Sequence, residues 1–302
     1  MALVIRNKNK HIYNIKSNVR KFMHCHPIIR KGYLKLKEIY IRHSVPSGRK
    51  NVLFQKIFIE TVSYCNNDCE FCPASTTVKA KKAEDFMSEN LYMKILNELR
   101  DISFTGSVAF HCNNEPLLDV RLVSWVKKAR TLLEENFFYL YTNGMLINMK
   151  LANDLFDAGL NRIIIDNYND KHEPIPAVKD LLDHKSFLKG ELIVSYRHKN
   201  DYLGNRAGQS QNARFFLKDP LNVMCIRPSK EIVIGYDGSV PLCCADGLWK
   251  MKMGNVQETD LKTIWFSNHF KNIRRSLLQG DRSCAAICNV CDALNFSSPK
   301  GI

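Results

Sequence analysis

The 302-residue sequence lacks an apolar run long enough to cross a membrane, which argues against an integral membrane protein. Its start is rich in lysine and arginine and has no apolar core of the kind that a secretory signal peptide needs. Internal repeats and low-complexity stretches are also missing, which argues against a solenoid or a disordered chain. These absences predict a cytoplasmic globular enzyme without a transmembrane segment.

Acidic residues are scarce in one part of the chain. Residues 1–50 contain 13 Lys or Arg side chains and one acid, Glu38, whereas residues 51–302 contain 31 basic and 29 acidic residues. The basic character therefore belongs to an N-terminal extension, residues 1–50. One interpretation is contact with an anionic surface such as lipid headgroups, a polyanion or a phosphorylated substrate. The other is a solvated helical arm that packs on the rest of the protein.

Cysteine, by contrast, is plentiful, with 11 residues. In a small secreted protein this number would indicate disulfides. In a long chain without an export signal, cysteines more often bind metal or carry out redox chemistry.

The middle of the chain alternates between strand-like and helix-like segments, which is typical of repeated βαβ units and a parallel sheet or barrel. The predicted strands are Ile57–Thr61, Ser107–Phe110, Phe138–Tyr141, Arg162–Asp166 and Glu191–Tyr196. The predicted helices are Glu89–Arg100, Arg121–Glu134, Lys150–Ala158 and Pro176–Leu188.

The pattern changes after about Leu221, where we predict a domain boundary. Ile232–Gly235 and Val240–Leu242, joined by an Asp-Gly turn, favour a β-hairpin. An amphipathic helix over Leu261–Leu278 and a cysteine-rich tail follow. The predicted domains are therefore an extension (1–50), an α/β barrel domain (51–220) and a small C-terminal domain of hairpin plus helix (221–302).

Three cysteines form the first candidate metal site, in the segment ETVSYCNNDCEFCPAS. Cys65, Cys69 and Cys72 can converge on one iron–sulfur cluster from a single loop, and three ligands leave one iron of a four-iron cluster open for chemistry. The loop follows the first predicted strand, at the mouth where barrel enzymes place their active sites. A zinc knuckle or incidental cysteines are the alternatives.

This spacing, with the aromatic Phe71 before the last cysteine, resembles the defining motif of the radical S-adenosylmethionine (SAM) superfamily. The resemblance implies a partial (β/α)6 TIM-like barrel and a 4Fe-4S cluster whose fourth iron is chelated by the amino and carboxylate groups of SAM. It also implies an external electron donor such as flavodoxin or ferredoxin. Reductive cleavage of SAM would then give a 5′-deoxyadenosyl radical that abstracts a hydrogen atom from the substrate.

Further strand ends carry side chains that match this superfamily. Glu115 in FHCNNEPLLD resembles the acid of the glycine-glycine-glutamate-proline motif, which faces the SAM ammonium, although Asn113 and Asn114 replace the glycines. Asn143 in YTNG resembles an element near the ribose. The candidate SAM-binding residues are Glu115, Asn143, Asp166 and Arg197, the last toward the SAM carboxylate. Taken singly, each has an ordinary structural explanation as a cap, a turn residue or a surface charge.

The C-terminal cysteines form a second candidate metal site. A cysteine before the predicted hairpin, one after it and a Cys-x-x-Cys pair resemble the SPASM auxiliary-cluster extension in its shorter twitch form. The ligands implied by the resemblance are Cys225, Cys243, Cys288 and Cys291, which would complete a second 4Fe-4S cluster. Cys244 or Cys284 could replace one of them, and a structural zinc site is the alternative.

The twitch arrangement resembles enzymes that oxidise an alcohol on an aminocyclitol, and related carbohydrate epimerases. We therefore expect a small carbohydrate-like substrate and oxidation at a hydroxyl-bearing carbon, with the auxiliary cluster accepting an electron. Epimerisation is the alternative, with a thiol as hydrogen-atom donor; the candidates are Cys112, Cys244 and Cys284. A peptide-modifying enzyme and a zinc- or nucleic-acid-binding protein are more distant alternatives.

Overall fold

The computed structural model describes residues 53–75, 85–199, 203–211 and 219–293, together with the single positions His26, Ile29, Gly32 and Leu36. The prediction of an anionic contact through residues 1–50 therefore falls almost wholly outside the described residues. Among the described residues, the model contains no helix with the length and apolar character of a membrane span.

Six parallel strands form the main sheet of the described residues. They are β1 Lys56–Ile59, β2 Ser107–Ala109, β3 Phe138–Thr142, β4 Arg162–Tyr168, β5 Glu191–Arg197 and β6 Glu231–Ile234. Their order in the sheet is β5-β4-β3-β2-β1-β6. Strands β2 to β5 therefore follow one another on one side of β1, and β6 pairs with the other side of β1. This open sheet with helical crossovers confirms the predicted α/β fold of the partial-barrel type.

Helices connect the strands at the predicted places. They are α1 Glu89–Asp101, α2 Leu122–Leu132, α3 Met149–Asp157 and α4 Pro176–Asp183. Side-chain oxygens of Ser88 and Asn148 cap α1 and α3 at their N-termini. The predicted fourth helix is shorter than expected, because α4 ends at Asp183 and a separate 3₁₀ turn covers Lys185–Phe187.

The two faces of the sheet have different neighbours. Alternate strand residues, such as Ile57, Val108 and Leu140, belong to the large core shared with the helices. The residues between them form a small apolar layer on the other face of the sheet: Phe58, Ala109, Tyr139, Ile164 and Val233. The layer lies below the carboxyl ends of the strands, so it supports whatever binds at the mouth of the barrel.

The C-terminal part differs from its prediction in two respects. Ile232–Gly235 and Val240–Leu242 do not pair as a hairpin, because β6 joins β1 in parallel and β7 (Ser239–Pro241) pairs antiparallel with β8 (Lys252–Asn255). The single predicted helix is two helices, α6 (Leu261–Phe266) and α7 (Asn268–Leu278), with Ser267 capping the second. Short helices α5 (Arg227–Lys230) and α8 (Ala286–Asn289) complete this part. The boundary near residue 221 stays a prediction, and one strand beyond it belongs to the sheet.

Candidate active site

The loop after β1 brings the three cysteines of the first motif to one cavity. Cys65, Cys69 and Cys72 all line a cavity of about 290 Å³ at the carboxyl ends of the strands. The loop turns tightly, with the amide of Cys72 bonded to the carbonyl of Cys69 at 3.0 Å and that of Ser75 to the carbonyl of Cys72 at 3.2 Å. Phe71 packs against Tyr168 at the end of β4, with ring centroids 5.7 Å apart.

These three thiols fit a four-iron cluster by their chemistry and placement. Burial raises the pKa of the Cys65 thiol to about 12, with Glu115 and Cys72 adding to the effect. Burial and the neighbouring thiols Cys72 and Cys65 also raise the pKa of Cys69. The three sulfurs therefore lie close enough to interact. Neighbouring cysteine sulfurs are the donors that bind iron–sulfur clusters. Within the described ranges, no three His, Cys, Asp or Glu side chains approach as closely as ligands of a single metal ion.

Glu115 follows β2 and is buried in the cavity wall. Its carboxylate accepts hydrogen bonds from the Thr142 hydroxyl at 2.7 Å, the Asn143 amide at 2.8 Å and the Leu117 amide at 3.1 Å. Burial raises its pKa to about 7 although these hydrogen bonds lower it. A buried carboxylate with lone-pair capacity left over is suited to bind an ammonium group.

Asn143 lies beside the cysteine loop at the end of β3. Its side-chain amide donates to the Asn66 side chain at 2.7 Å and lies 3.9 Å from the Cys65 sulfur. Its side-chain oxygen accepts the Met145 amide at 2.8 Å. Gly144 follows with a φ of +77°, a conformation that glycine adopts without strain. The structure therefore places Asn143 in the wall that also holds Cys65 and Glu115.

Asp166 and Arg197 meet at the ends of β4 and β5. The Arg197 Nε lies 2.8 Å from a carboxylate oxygen of Asp166, and both side chains are largely buried. Asp166 lines the cavity. Arg197 stands behind it, bound to its carboxylate, and is not among the side chains that line the cavity in the described part of the chain.

Sequence reasoning missed Arg206, which enters the cavity from the loop over residues 203–211. This loop has no recognisable motif, so only the fold shows where it lies. It is held by Asn205, whose amide donates to Asp292 at 2.9 Å and whose side-chain oxygen accepts the Asp292 amide at 3.1 Å. Arg206 has a φ of +50°, and its guanidinium bonds to the Asn113 side chain.

His111 is a second cavity residue that sequence reasoning missed. Its Nδ1 accepts the backbone amide of Tyr141 at 3.1 Å, and the ring lies among Phe58, Tyr139 and Tyr141. Burial lowers its pKa to about 3, so the ring is neutral at physiological pH and carries its proton on Nε2. The ring is therefore a neutral hydrogen-bond donor in the cavity wall.

The candidate hydrogen-atom donors separate into two groups. Cys112 and Cys244 line the cavity, and the Cys112 sulfur lies 4.0 Å from the Cys244 carbonyl oxygen. The Cys244 sulfur accepts a hydrogen bond from Arg227 at 3.3 Å. Cys284 is not among the described residues that line this cavity, and it packs against the large core.

The four assigned auxiliary cysteines are buried in one core: Cys225, Cys243, Cys288 and Cys291. Burial is the largest cause that raises the thiol pKa of each of the other three. The charge of Cys225 is a smaller cause in the same direction, so the thiols lie near one another. Cys225 and Cys288 also lie near Cys284. Four thiols of this kind fit a fully ligated four-iron cluster. Of the two alternative ligands, Cys284 lies with this group and Cys244 lies on the cavity side.

A parallel α/β sheet with three cysteines at its mouth, followed by a cysteine-lined C-terminal domain, defines a class of iron–sulfur enzymes. Comparisons with known proteins agree with this class. The family model of the radical SAM superfamily matches residues 59–168, and that of an iron–sulfur cluster-binding domain, SPASM, matches residues 225–292. The chain belongs to the radical SAM superfamily and is an oxidoreductase with a SPASM-type domain. Its cofactors are SAM, the 4Fe-4S cluster that cleaves it, and auxiliary iron–sulfur.

One curated relative is the S-adenosyl-L-methionine-dependent 2-deoxy-scyllo-inosamine dehydrogenase of Niallia circulans. It is 29% identical over 249 residues, which cover 82% of this chain and 96% of the relative. The solved structure of BtrN in complex with AdoMet and 2-DOIA is 26% identical, with a TM-score of 0.70 over 83% of this chain and 98% of that one. The structure of anSMEcpe with bound AdoMet, at 14% identity and a TM-score of 0.55, covers 75% of this chain and 81% of that one and shares the fold.

Proposed function

We propose that this protein oxidises a hydroxyl-bearing carbon of a small carbohydrate-like substrate, with a cyclitol as the nearest chemical type. The observation that carries the proposal is a cavity whose walls have two kinds of residues. The cavity is lined by Cys65, Cys69, Cys72 and Glu115, and also by Arg206, His111 and Cys244, the last of which follows the auxiliary cysteine Cys243 in the sequence. The relative named as a dehydrogenase of 2-deoxy-scyllo-inosamine supports an alcohol as the reacting group.

We assign the SAM side of the cavity as follows. Cys65, Cys69 and Cys72 would hold the 4Fe-4S cluster, and Glu115 would accept the SAM ammonium with its remaining lone pairs. Asn143 lies close enough to Cys65 to contact the nucleoside end. Arg197 would act through Asp166, because its guanidinium is bound to that carboxylate. When bound, SAM and its reduced cluster would supply the radical that takes a hydrogen atom, and the auxiliary cluster would supply the acceptor for an electron.

The protein's own residues would orient the substrate. The Arg206 guanidinium can donate to the hydroxyl oxygen and stabilise the negative charge that builds there, while the hydroxyl proton is released to solvent. Neutral His111 can donate to a second oxygen through Nε2–H. Phe58 and Tyr168 present apolar ring surface that limits the access of water.

Epimerisation is the second candidate function, because two thiols line the same cavity. Cys112 or Cys244 could return a hydrogen atom to the opposite face of a substrate radical. Cys284 is a weaker candidate, since it is not among the described residues that line the cavity and lies near the auxiliary cysteines Cys225 and Cys288 instead.

The test is anaerobic turnover of the reconstituted enzyme with chemical reductant and a panel of sugars, cyclitols and peptides that begins with 2-deoxy-scyllo-inosamine. With a substrate deuterated at the reacting carbon, oxidation predicts one deuterium in 5′-deoxyadenosine and a ketone product. Unlabelled substrate in deuterated water distinguishes the alternative, because an exchangeable thiol would leave solvent deuterium on an inverted carbon. That result would replace oxidation by epimerisation, and a crosslinked peptide product would exclude both.

A further inference from the structure

Asn113 stands in the cavity wall at a position where the superfamily motif has glycine. Its side chain is buried and contacts Arg206 and Cys244 from two other segments, as well as the adjacent Cys112. We propose that Asn113 is a positioning residue that holds the Arg206 guanidinium and the Cys112 thiol in place in the cavity wall. This inference rests on the proposed function, which gives Arg206 its contact with the substrate oxygen.

The orientation of the Asn113 amide follows from its partners. A guanidinium can only donate and a backbone carbonyl can only accept, so the side-chain oxygen must face Arg206 and the NH2 group must face Cys244. In that orientation the oxygen accepts from Arg206 Nη2. The NH2 group lies 3.4 Å from the Cys244 carbonyl oxygen and 3.3 Å from the Cys112 sulfur. The asparagine side chain has the acceptor oxygen and the two N–H donors that these partners require, whereas glycine has no side chain to supply them.

The backbone and the surroundings hold this amide in place. The Asn113 N–H donates to the buried Glu60 carboxylate at 2.5 Å. On the other side lies Gly247, where an added Cβ would be 3.0 Å from the Asn113 side-chain oxygen and 2.9 Å from Pro73. Gly247 lies close beside the amide, so the space leaves little freedom for another rotamer.

Arg206 depends on this contact for its direction into the cavity. The Nε of Arg206 is buried without a hydrogen-bond partner among the described residues. Buried donors are normally satisfied, so an unpaired N–H at the cavity wall is suited to a ligand oxygen. With Nη2 held by Asn113, the remaining N–H groups have a fixed direction, which lowers the entropy lost when a substrate hydroxyl binds.

The first test uses Asn113→Ala in the full-length, cluster-loaded enzyme with 2-deoxy-scyllo-inosamine as the probe. We expect KM to rise about 10- to 100-fold, the scale of one charge-assisted hydrogen bond. We also expect more 5′-deoxyadenosine per product, because SAM is still cleaved while the substrate is held less well. Asn97→Ala, on α1 away from the cavity, is the matched control and should leave both values unchanged. Asn113→Gly, the residue of the family motif, serves if the alanine variant does not fold.

A positioning role makes a further prediction that a merely structural role does not. In an Arg206→Ala background, Asn113→Ala should raise KM by less than about twofold, because its effect passes through Arg206. Full additivity of the two substitutions would overturn the inference.

A second readout separates this inference from the proposed function. If the wild-type enzyme oxidises no compound of the panel, the proposed function fails, and a crystal structure of cluster-loaded Asn113→Ala still decides the inference. Displacement of the Arg206 guanidinium supports it. An unchanged guanidinium position overturns it.

Discussion

At the scale of the residue, Glu115 shows how a buried acid is prepared for a cationic ligand. Thr142 and the Asn143 amide fix its two oxygens, and both donors come from the end of β3. Its carboxylate therefore has a set direction before any ligand binds. The ionised form of Glu115 depends on a positively charged partner, because burial alone favours the neutral acid.

We predict that Glu115→Gln weakens SAM binding by about 10- to 100-fold, since losing a charge-assisted hydrogen bond costs about 1.5–3 kcal/mol. The glutamine NH2 would also face one of the N–H or O–H donors that now bind the carboxylate. Anaerobic calorimetry with SAM measures the change. Glu258→Gln, at an exposed acid, is the control. Equal SAM affinity in Glu115→Gln and wild type would contradict the placement.

Three candidate residues that end or follow a strand line the cavity, whereas their binding of SAM stays a prediction. Glu115, Asn143 and Asp166 were predicted at the mouth because parallel strands present their carboxyl ends at one edge. Arg206 and His111 were missed. Arg206 lies in a loop that only its tertiary contacts bring to the cavity, and a histidine in an apolar run gives no signal of the direction in which its ring points.

At the scale of the element, the turn after β3 depends on a glycine. Gly144 has a φ of +77°, and a Cβ there would lie 2.7 Å from Ile165 and 2.8 Å from Val178. The turn positions Asn143 next to Cys65. A side chain at position 144 would therefore disturb both the packing of α4 on the sheet and the cavity wall.

Accordingly, Gly144→Ala is expected to destabilise the fold by at least about 1–2 kcal/mol from backbone strain alone. The apparent melting temperature should fall by about 2–4 °C per kcal/mol, measured by anaerobic thermal unfolding. Lys150→Ala, at an exposed position on α3, should change it little. A Gly144→Ala variant as stable as wild type would show that the turn relaxes without cost.

The sixth strand illustrates where local patterns are ambiguous. Glu231–Ile234 is apolar and precedes an Asp-Gly turn, which favours a hairpin with the next strand. In the structure it pairs with β1 instead, since a second unpaired edge is available in the parallel sheet. The sequence pattern also does not show that the predicted helix is divided at Ser267. The spacing of apolar residues continues from α6 into α7, while the Ser267 side chain caps the start of α7.

The C-terminal cysteines yield a prediction about iron content. Cys288→Ala should lower the iron of the anaerobically reconstituted protein from about eight to about four per chain, because two four-iron clusters become one. Cys244→Ala should retain about eight, since Cys244 lies on the cavity side. Iron analysis together with electron paramagnetic resonance distinguishes the Cys288→Ala and Cys244→Ala variants. Loss of four irons in Cys244→Ala would make Cys244 an auxiliary ligand.

At the scale of the whole molecule, the cavity is lined by cysteines from both the barrel and the C-terminal part of the chain. The barrel supplies Cys65, Cys69 and Cys72, and the C-terminal part supplies Cys243 next to the cavity residue Cys244. Loop 203–211 contacts both parts through two adjacent residues, because Asn205 bonds to Asp292 in the C-terminal part and Arg206 bonds to Asn113 in the barrel. A substrate in the cavity would thus lie close to the three cysteines of the SAM-cleaving cluster and to Cys244, the sequence neighbour of the assigned auxiliary ligand Cys243.

The most direct test of this account is anaerobic SAM cleavage by the reconstituted protein and by a variant in which Cys65, Cys69 and Cys72 are all alanine. We predict that the wild type forms 5′-deoxyadenosine, detected by mass spectrometry, and that the triple variant forms none while retaining about four irons in its C-terminal site. Continued 5′-deoxyadenosine formation by the triple variant would contradict the assignment of these three cysteines as the ligands of the SAM-cleaving cluster.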